Sequence, residues 1–345
     1  MWRQGATVAL VTLVRVEGSS YRKVGARLLV GSDGRYAGSI SGGCLEAEVV
    51  QKAPWMVRSG AVMKRYSTLF DDTAEIPYGL GCGGTVDLLI EPAGTPEFQT
   101  LMEALAASLD GASRHVTTWL PENGNSLRRL VQPAAAEALE QDQSVFEETI
   151  LPPQRLIIFG AGDDALPMVE AASLLGWTVA VVDGRPWLAR AQRFLLAHQV
   201  LVARQLEDLD RLSIGDRDAV VMMTHSYEQD KAWLAGVLPC KPRYLGLLGA
   251  RHRSSLLISE TAAAMGWSLE QVCEGLFAPV GLDLGGDGAE AIALAVISEI
   301  QGYLHGKIGA SRRMSAPMVV AAVEQGNSEV RAPWKTQKIP SRCAQ

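Results

Sequence analysis

The chain has 345 residues, 48% hydrophobic and 20% charged, with a net charge of −6. At roughly 100–200 residues per domain this length suits two domains, and the acidic balance excludes a general nucleic-acid binder, which needs clustered Lys and Arg for phosphate contacts. Five cysteines without disulfide-framework spacing point to reduced thiols in a cytoplasmic protein, and no apolar run reaches the ~18 residues of a membrane span.

The apolar stretch 6–14 is short, is followed at once by Arg15 and Glu17, and lacks a small-residue cleavage site. It therefore reads as a buried strand over 8–16 rather than a signal peptide. A strand over 26–30, the turn Gly31-Ser32-Asp33-Gly34 and a return over 35–40 predict a hairpin. Residues 44–53 have helical spacing, and 85–90 (Thr-Val-Asp-Leu-Leu-Ile) predict a strand stopped by Glu91-Pro92. Residues 98–109 predict an amphipathic helix, 116–120 and 127–131 a hairpin, and 134–143 a helix. From residue 154 strand and helix alternate, with strands over 155–159, 178–182, 199–203, 219–223 and 244–248, helical patterns between them, and a last helix over 288–304. That alternation predicts an α/β fold with a doubly wound parallel sheet, and continuous apolar strands fit a sheet buried on both faces. The expected organisation is a strand-rich α+β domain over 1–95, a connecting segment over 96–153, a Rossmann-like domain over 154–305 and a mobile basic tail over 306–345.

Gly160-Ala161-Gly162-Asp163-Asp164-Ala165 stands between a predicted strand and a predicted helix. It matches the dinucleotide fingerprint: a tight turn at the first Gly, close phosphate approach at the second, and a small third residue for helix packing. The helix N-terminus offers free N–H groups to an anion. Asp183 follows Gly162 by 21 residues, directly after the second strand, where an acidic residue accepts ribose hydroxyls. Asp163 and Asp164 suit the helix dipole but repel a pyrophosphate. Either they point away, or the ligand brings a hydrogen-bond donor or positive group. Thr224-His225-Ser226 and Gly249-Ala250-Arg251-His252-Arg253 follow later strands. Ligands of doubly wound sheets bind at such carboxyl ends, so Arg251 and Arg253 are candidate phosphate clamps and His225 a candidate hydrogen-bond partner or proton shuttle. The loop 281–288 is a further candidate wall of that pocket.

Two cysteines are flanked by glycine, Cys44 in Ser41-Gly42-Gly43-Cys44-Leu45-Glu46 and Cys82 in Gly81-Cys82-Gly83-Gly84. Cys44 opens a predicted helix, which favours the thiolate. Such thiolates suit metal–sulfur chemistry, persulfide transfer or redox work; the bland reading is an inert, buried small hydrophobe, favoured for Cys240 and Cys273. Their 38-residue separation excludes a CxxC zinc motif. Arg22 and Arg27, near Gly18-Ser19-Ser20, are anion-anchoring candidates or solvated charges in equal measure.

Taken in order, Val16-Glu17-Gly18-Ser19-Ser20, Ser39-Ile40-Ser41-Gly42-Gly43-Cys44, Gly81-Cys82-Gly83-Gly84 with residues 86–92, and the Gly160 loop resemble the XdhC/CoxI accessory proteins of molybdenum hydroxylases. Val181-Val182-Asp183-Gly184-Arg185-Pro186, Thr224-His225, residues 246–251 and Ala278-Pro279-Val280-Gly281-Leu282-Asp283 continue the match, which spans most of residues 7–302. At Asp163 the chain departs from the family pattern, which carries a histidine there.

The resemblance implies a maturation factor rather than a turnover enzyme. Such a protein binds molybdenum cofactor (molybdopterin or its dinucleotide form), supports its sulfuration and passes it to an apo xanthine dehydrogenase or aldehyde oxidoreductase. A cysteine desulfurase or cofactor-biosynthesis protein is an implied partner, and a homodimer the implied assembly. Cys44 and Cys82 would carry sulfur or contact molybdenum. Gly42, Gly43, Gly83, Gly84, Gly160, Gly162, Asp163, Asp183, Arg185, His225, Arg251 and Arg253 would bind the cofactor. The rival readings are an NAD(P)-dependent oxidoreductase, with His225 as proton donor, and a nucleotide-sensing scaffold.

Overall fold

A computed structural model describes residues 7–67, 84–122, 126–134 and 144–309. Residues 135–143 of the predicted helix over 134–143, nearly all of the tail, Cys82 and Gly83 lie outside the described residues. The chain divides into two compact units, Met1–Gln154 and Arg155–Gln345.

The first unit is built on an antiparallel five-stranded sheet. Its strands are β1 (Val8–Gly18), β2 (Arg27–Gly31), β3 (Tyr36–Gly38), β4 (Val62–Ser67) and β5 (Gly84–Pro92), in the order β3-β2-β1-β5-β4. Strand periodicity sorts β1 onto two faces. Ala9, Val11 and Leu13 bury themselves with Leu45, Val49 and Ala53 of helix α1 (Cys44–Met56). Leu10 and Val14 face the other way. Leu10 packs with Phe98 and Leu101 of helix α2 (Pro96–Leu109). Val14 packs with Leu120 and Phe146. A second, three-stranded antiparallel sheet supplies that layer, with β6 (Arg114–Trp119) between β7 (Arg128–Pro133) and β8 (Val145–Ile150). The segment 96–150 thus contributes its own face to the core of this unit.

Three details depart from the sequence reading. Helix α1 continues past Pro54 to Met56, because a proline removes one intrahelical bond and the next turn still packs. Strand β5 runs through Glu91-Pro92. Glu91 stays in the sheet because it is fully buried against Arg129, and its neighbour Pro92 lies at the strand end, where a missing donor is tolerated. Strands β4 and β8 carry too little alternation to be read. Their sequences, VMKRYS and VFEETI, are half charged or polar and become strands through pairing with β5 and β6.

In the second unit β9 (Arg155–Phe159), β10 (Thr178–Asp183), β11 (Gln199–Val202), β12 (Ala219–Met222), β13 (Tyr244–Leu247) and β14 (Leu276–Phe277) form an all-parallel sheet ordered β11-β10-β9-β12-β13-β14. This is the strand order of dinucleotide-binding folds. Leu156 and Ile158 face helices α3 (Ala165–Leu174) and α7 (Ala289–Leu304). Ile157 and Phe159 face α4 (Tyr227–Val237) and α5 (Arg251–Met265). Both faces of each central strand are therefore buried, which explains the unbroken apolar runs. The short α6 (Leu269–Cys273) precedes β14, which the sequence did not reveal. The connection from β10 to β11 carries turns rather than the expected helix.

Candidate functional site

The second unit reverses its winding between β9 and β12, so the crevice of the fold opens between the loops that follow them. Gly160 lies at φ +123°, and a Cβ there would stand 2.4 Å from the Met223 carbonyl oxygen. Only glycine lets the two loops approach this closely. Gly160 N donates to Val182 O at 2.8 Å, and Met223 N donates to Phe159 O at 2.7 Å. Gly162 is different: a Cβ there would meet only the His225 ring, at 3.8 Å. Gly162 therefore leaves open space before α3, with His225 beside it.

His225 adopts φ +62°, rare for a non-glycine residue and frequent at functional sites. Its Nε2 stands 3.5 Å from Asp164 Oδ2. Asp163 points elsewhere, 92% exposed and paired at 2.7 Å with Arg193, which also donates to Ala161 O at 2.6 Å. Neither aspartate caps α3 with its side chain. The two carboxylates thus divide: one away from the crevice, one beside His225 and Gly162.

Asp183 does not stand free for a ribose. It is fully buried at the end of β10. Its carboxylate accepts from Ala161 N at 2.7 Å, from Arg185 N at 2.8 Å, and from Arg185 Nε and Nη2 at 2.9 and 2.8 Å. Burial raises its pKa, but the bonds from Arg185 and Ala161 outweigh this and hold the group below the usual range. Asp183 is the brace of the Gly160 loop, and Arg185 is its partner.

The arginines after β13 also separate. Arg253 donates to the buried Asp230 at 2.7 Å and lies over the Tyr227 ring. Asp230 in turn accepts from Thr224 Oγ1 at 2.7 Å and Thr224 N at 3.3 Å, tying the loop before α4 to α5. Arg251, the first residue of α5, is exposed. The sequence singled out Arg253 but missed Asp230 and Arg193. Neither stands in a glycine motif, and only the fold brings them to the crevice.

In the first unit the glycine loop before α1 is organised by Glu46, the third residue of that helix. Its carboxylate accepts from Ser39 Oγ at 2.9 Å, Ile40 N at 3.0 Å, Ser41 N at 2.8 Å and Gly43 N at 3.0 Å, and closely from Ser41 Oγ. Burial raises the Glu46 pKa, but the Ser41 hydroxyl and the backbone donors win and lower it to about 2. A glutamate three residues after Gly43 is the first-turn acid of a capping arrangement, and that spacing was the legible signal. Leu45 N donates to Ser41 Oγ at 3.2 Å. The amides on either side of position 44 are thus already paired, so part of the anion-attracting power of this helix end is spent within the loop.

Gly42 and Gly43 line an open concavity of about 870 Å³ with Tyr21, Arg22, Tyr36 and Glu46. Gly84 serves another purpose: a Cβ there would fall 2.1 Å from Ser19 O, so β5 needs glycine to pass the end of β1. Arg27 is committed to Glu148 and Gly25 O. Cys240 and Cys273, read as buried, are exposed. Among the described residues no group of His, Cys, Asp and Glu is placed to hold a metal ion, and no helix is long and apolar enough to cross a membrane.

Comparison with known proteins agrees with this architecture. Residues 156–300 match the XdhC Rossmann domain and residues 1–67 the XdhC and CoxI family. A protein of Bacillus subtilis named as a probable xanthine dehydrogenase subunit is 30% identical over 312 residues, 84% of this chain and 91% of that protein. The chain belongs to the XdhC/CoxI family. The molybdenum cofactor insertion chaperone PaoD of Escherichia coli is 27% identical, over 86% of this chain and 83% of its own. A crystal structure of a xanthine dehydrogenase from Bacillus halodurans superposes with a TM-score of 0.74 at 27% identity, covering 92% of this chain and 96% of that one. The family membership extends across both units, so the crevice and the Cys44 loop belong to a single chain plan.

Proposed function

We propose that this protein is an accessory chaperone. It binds molybdenum cofactor, supports its sulfuration and inserts it into a molybdenum hydroxylase of the xanthine dehydrogenase or aldehyde oxidoreductase kind. The cofactor is cargo, molybdopterin or its dinucleotide form. The observation that carries this reading over a hydride-transfer enzyme is Asp183, buried and bonded to four donors. An NAD site needs that carboxylate for the ribose hydroxyls, and here it braces the loop. The likeness to PaoD over most of both chains supports the same reading.

In this proposal the crevice residues Gly160, Gly162, His225, Arg185, Arg251 and Arg253 serve to bind the cargo, with Asp183 as their brace. The residues present fit such a group, since Gly162 leaves the backbone open and His225 and Asp164 supply a donor and an acceptor beside it. Asp163, assigned to the cofactor by motif, is held away by Arg193. Gly42, Gly43 and Cys44, with Cys82 and its glycines, are the residues proposed to handle sulfur. An apo hydroxylase and a sulfur-donating cysteine desulfurase are the proposed partners, a homodimer the proposed assembly and the cytoplasm the proposed location.

The test is anaerobic incubation of the full chain with molybdenum cofactor, gel filtration, and quantification of retained pterin. Wild type is expected to retain it, and Cys44→Ser and Cys82→Ser to lower transfer to an apo hydroxylase. No retained pterin in wild type or either variant sinks the reading. NAD and NADH titrations of the same protein are expected to show no micromolar binding; saturable binding would restore the oxidoreductase.

A further inference from the structure

We propose that the concavity beside the Cys44 loop seats a planar, anionic heterocycle, with its ring against Tyr21 and its anionic arm on Arg22. This deepens the proposed function and takes from it only that the heterocycle is a pterin. The cavity, about 870 Å³, is of the size that holds small-molecule ligands.

Three observations meet there. Tyr21 is 77% exposed and its ring lies close over Gly42: a Cβ on Gly42 would stand 3.3–3.4 Å from three of its ring carbons. The ring therefore lies over a bare glycine backbone, leaving its remaining surface to the cavity. Tyr36, from β3, is a second exposed aromatic lining the cavity. Exposed tyrosines supply apolar area with a polar tip, suited to stacking a flat ring at an open site. Arg22 lines the cavity and forms no ion pair with any described residue, whereas Arg27 and Arg35 are committed to Glu148 and Asp33. An uncommitted guanidinium beside aromatics is the pairing that takes a carboxylate or phosphate arm.

Glu46 is the positioning residue. Its carboxylate, spent on Ser39, Ile40, Ser41 and Gly43, fixes the loop on which Tyr21 rests and which leads into Cys44. The seat thus lies beside the backbone of the sulfur-bearing residue.

The experiment titrates the full chain with pterin-6-carboxylate and follows its fluorescence. Saturable binding is expected. Tyr21→Ala and Arg22→Ala should each weaken it about tenfold, since each removes one ring or charge contact. Tyr21→Phe should keep most of the affinity, and Arg58→Ala, outside the cavity, should change nothing. Both lining residues are exposed, so melting temperatures should not move. A wild type that does not saturate overturns the proposal. So do Tyr21→Ala and Arg22→Ala variants that bind like wild type, most clearly if His225→Ala abolishes binding instead.

The cofactor-retention assay on the same proteins separates the two readings. Cofactor retained equally by wild type and both variants sinks the seat and leaves the chaperone. Probe binding lost in both variants, with no cofactor retained by wild type, sinks the chaperone and leaves the seat.

Discussion

Gly160 and Gly162 share one motif but answer to different constraints. At Gly160 a methyl group would collide with the Met223 carbonyl at 2.4 Å, in a backbone conformation at φ +123°. Gly160→Ala should cost about 3 kcal/mol or more through clash and strain together, read as a fall in the unfolding midpoint of the second unit. At Gly162 a methyl meets nothing nearer than 3.8 Å. Gly162→Ala should leave stability within about 0.5 kcal/mol while reducing cofactor retention, because its methyl occupies the approach beside His225. Equal losses of stability in both variants would refute this division.

Glu46 makes the same point for the first unit. Its folded pKa, about 2, lies below its ordinary 4.5. A depressed carboxylate stabilises the fold above its unfolded pKa, and that contribution fades as pH falls from about 4.5 toward 2. Glu46→Gln should therefore be less stable than wild type at pH 7, by about 2 kcal/mol for several charge-assisted bonds weakened. The gap should narrow as the pH drops to 3. Urea midpoints at the two pH values check it, and a gap that widens in acid would reverse the sign.

Between elements, a single buried ion pair ties together four elements of the first unit. Arg129 of β7 donates to both oxygens of Glu91 in β5, at 3.0 and 3.1 Å, with side-chain exposures of 2% and 0%. It also donates to Glu97 O in α2 at 2.6 Å and to Thr118 Oγ1 in β6 at 3.1 Å. Removing either partner leaves a buried charge alone, so Glu91→Leu and Arg129→Met should each cost about 3–5 kcal/mol. The double substitution should recover much of that, since an apolar pair needs no desolvation of charge. A double variant as unstable as the sum of the singles would contradict it. This pair also explains why β5 outruns its predicted stop. Glu91 and Pro92 look like a strand terminator only until Arg129 arrives from 38 residues away.

The helix and strand elements were unevenly legible for a related reason. β9 and β10 are buried on both faces, so their apolar runs stand out locally. β4 and β8 lie at sheet edges; β4 carries Lys64 and Arg65 to solvent, and β8 spends Glu148 on an ion pair with Arg27. Nothing within six residues distinguishes them from loop, and their partners are remote in sequence.

The two units are each self-sufficient in core. The clusters around Met168 and Trp233 draw only on the second unit, and those around Leu28, Phe98 and Leu89 only on the first. We propose that residues 155–309 form an independent domain. Expressed alone, they should melt cooperatively and keep the near-ultraviolet circular dichroism of the buried Trp177 and Trp233. A broad, featureless melt would show that the second unit needs the first.

By itself the amino-acid sequence determined the parallel α/β fold, the Gly160 loop and the family, because periodicity, glycine spacing and ordered motifs are local properties. Only the tertiary structure decided what the charged residues do. It buried Asp183 beneath Arg185, drew Asp163 off to Arg193 and left Asp164 beside His225. It also closed five donors around Glu46 and set Tyr21 on Gly42. A carboxylate looks the same in sequence whether it faces a ligand or braces a loop. Its role depends on which donors the fold brings within about 3 Å, and those donors come from elsewhere in the chain.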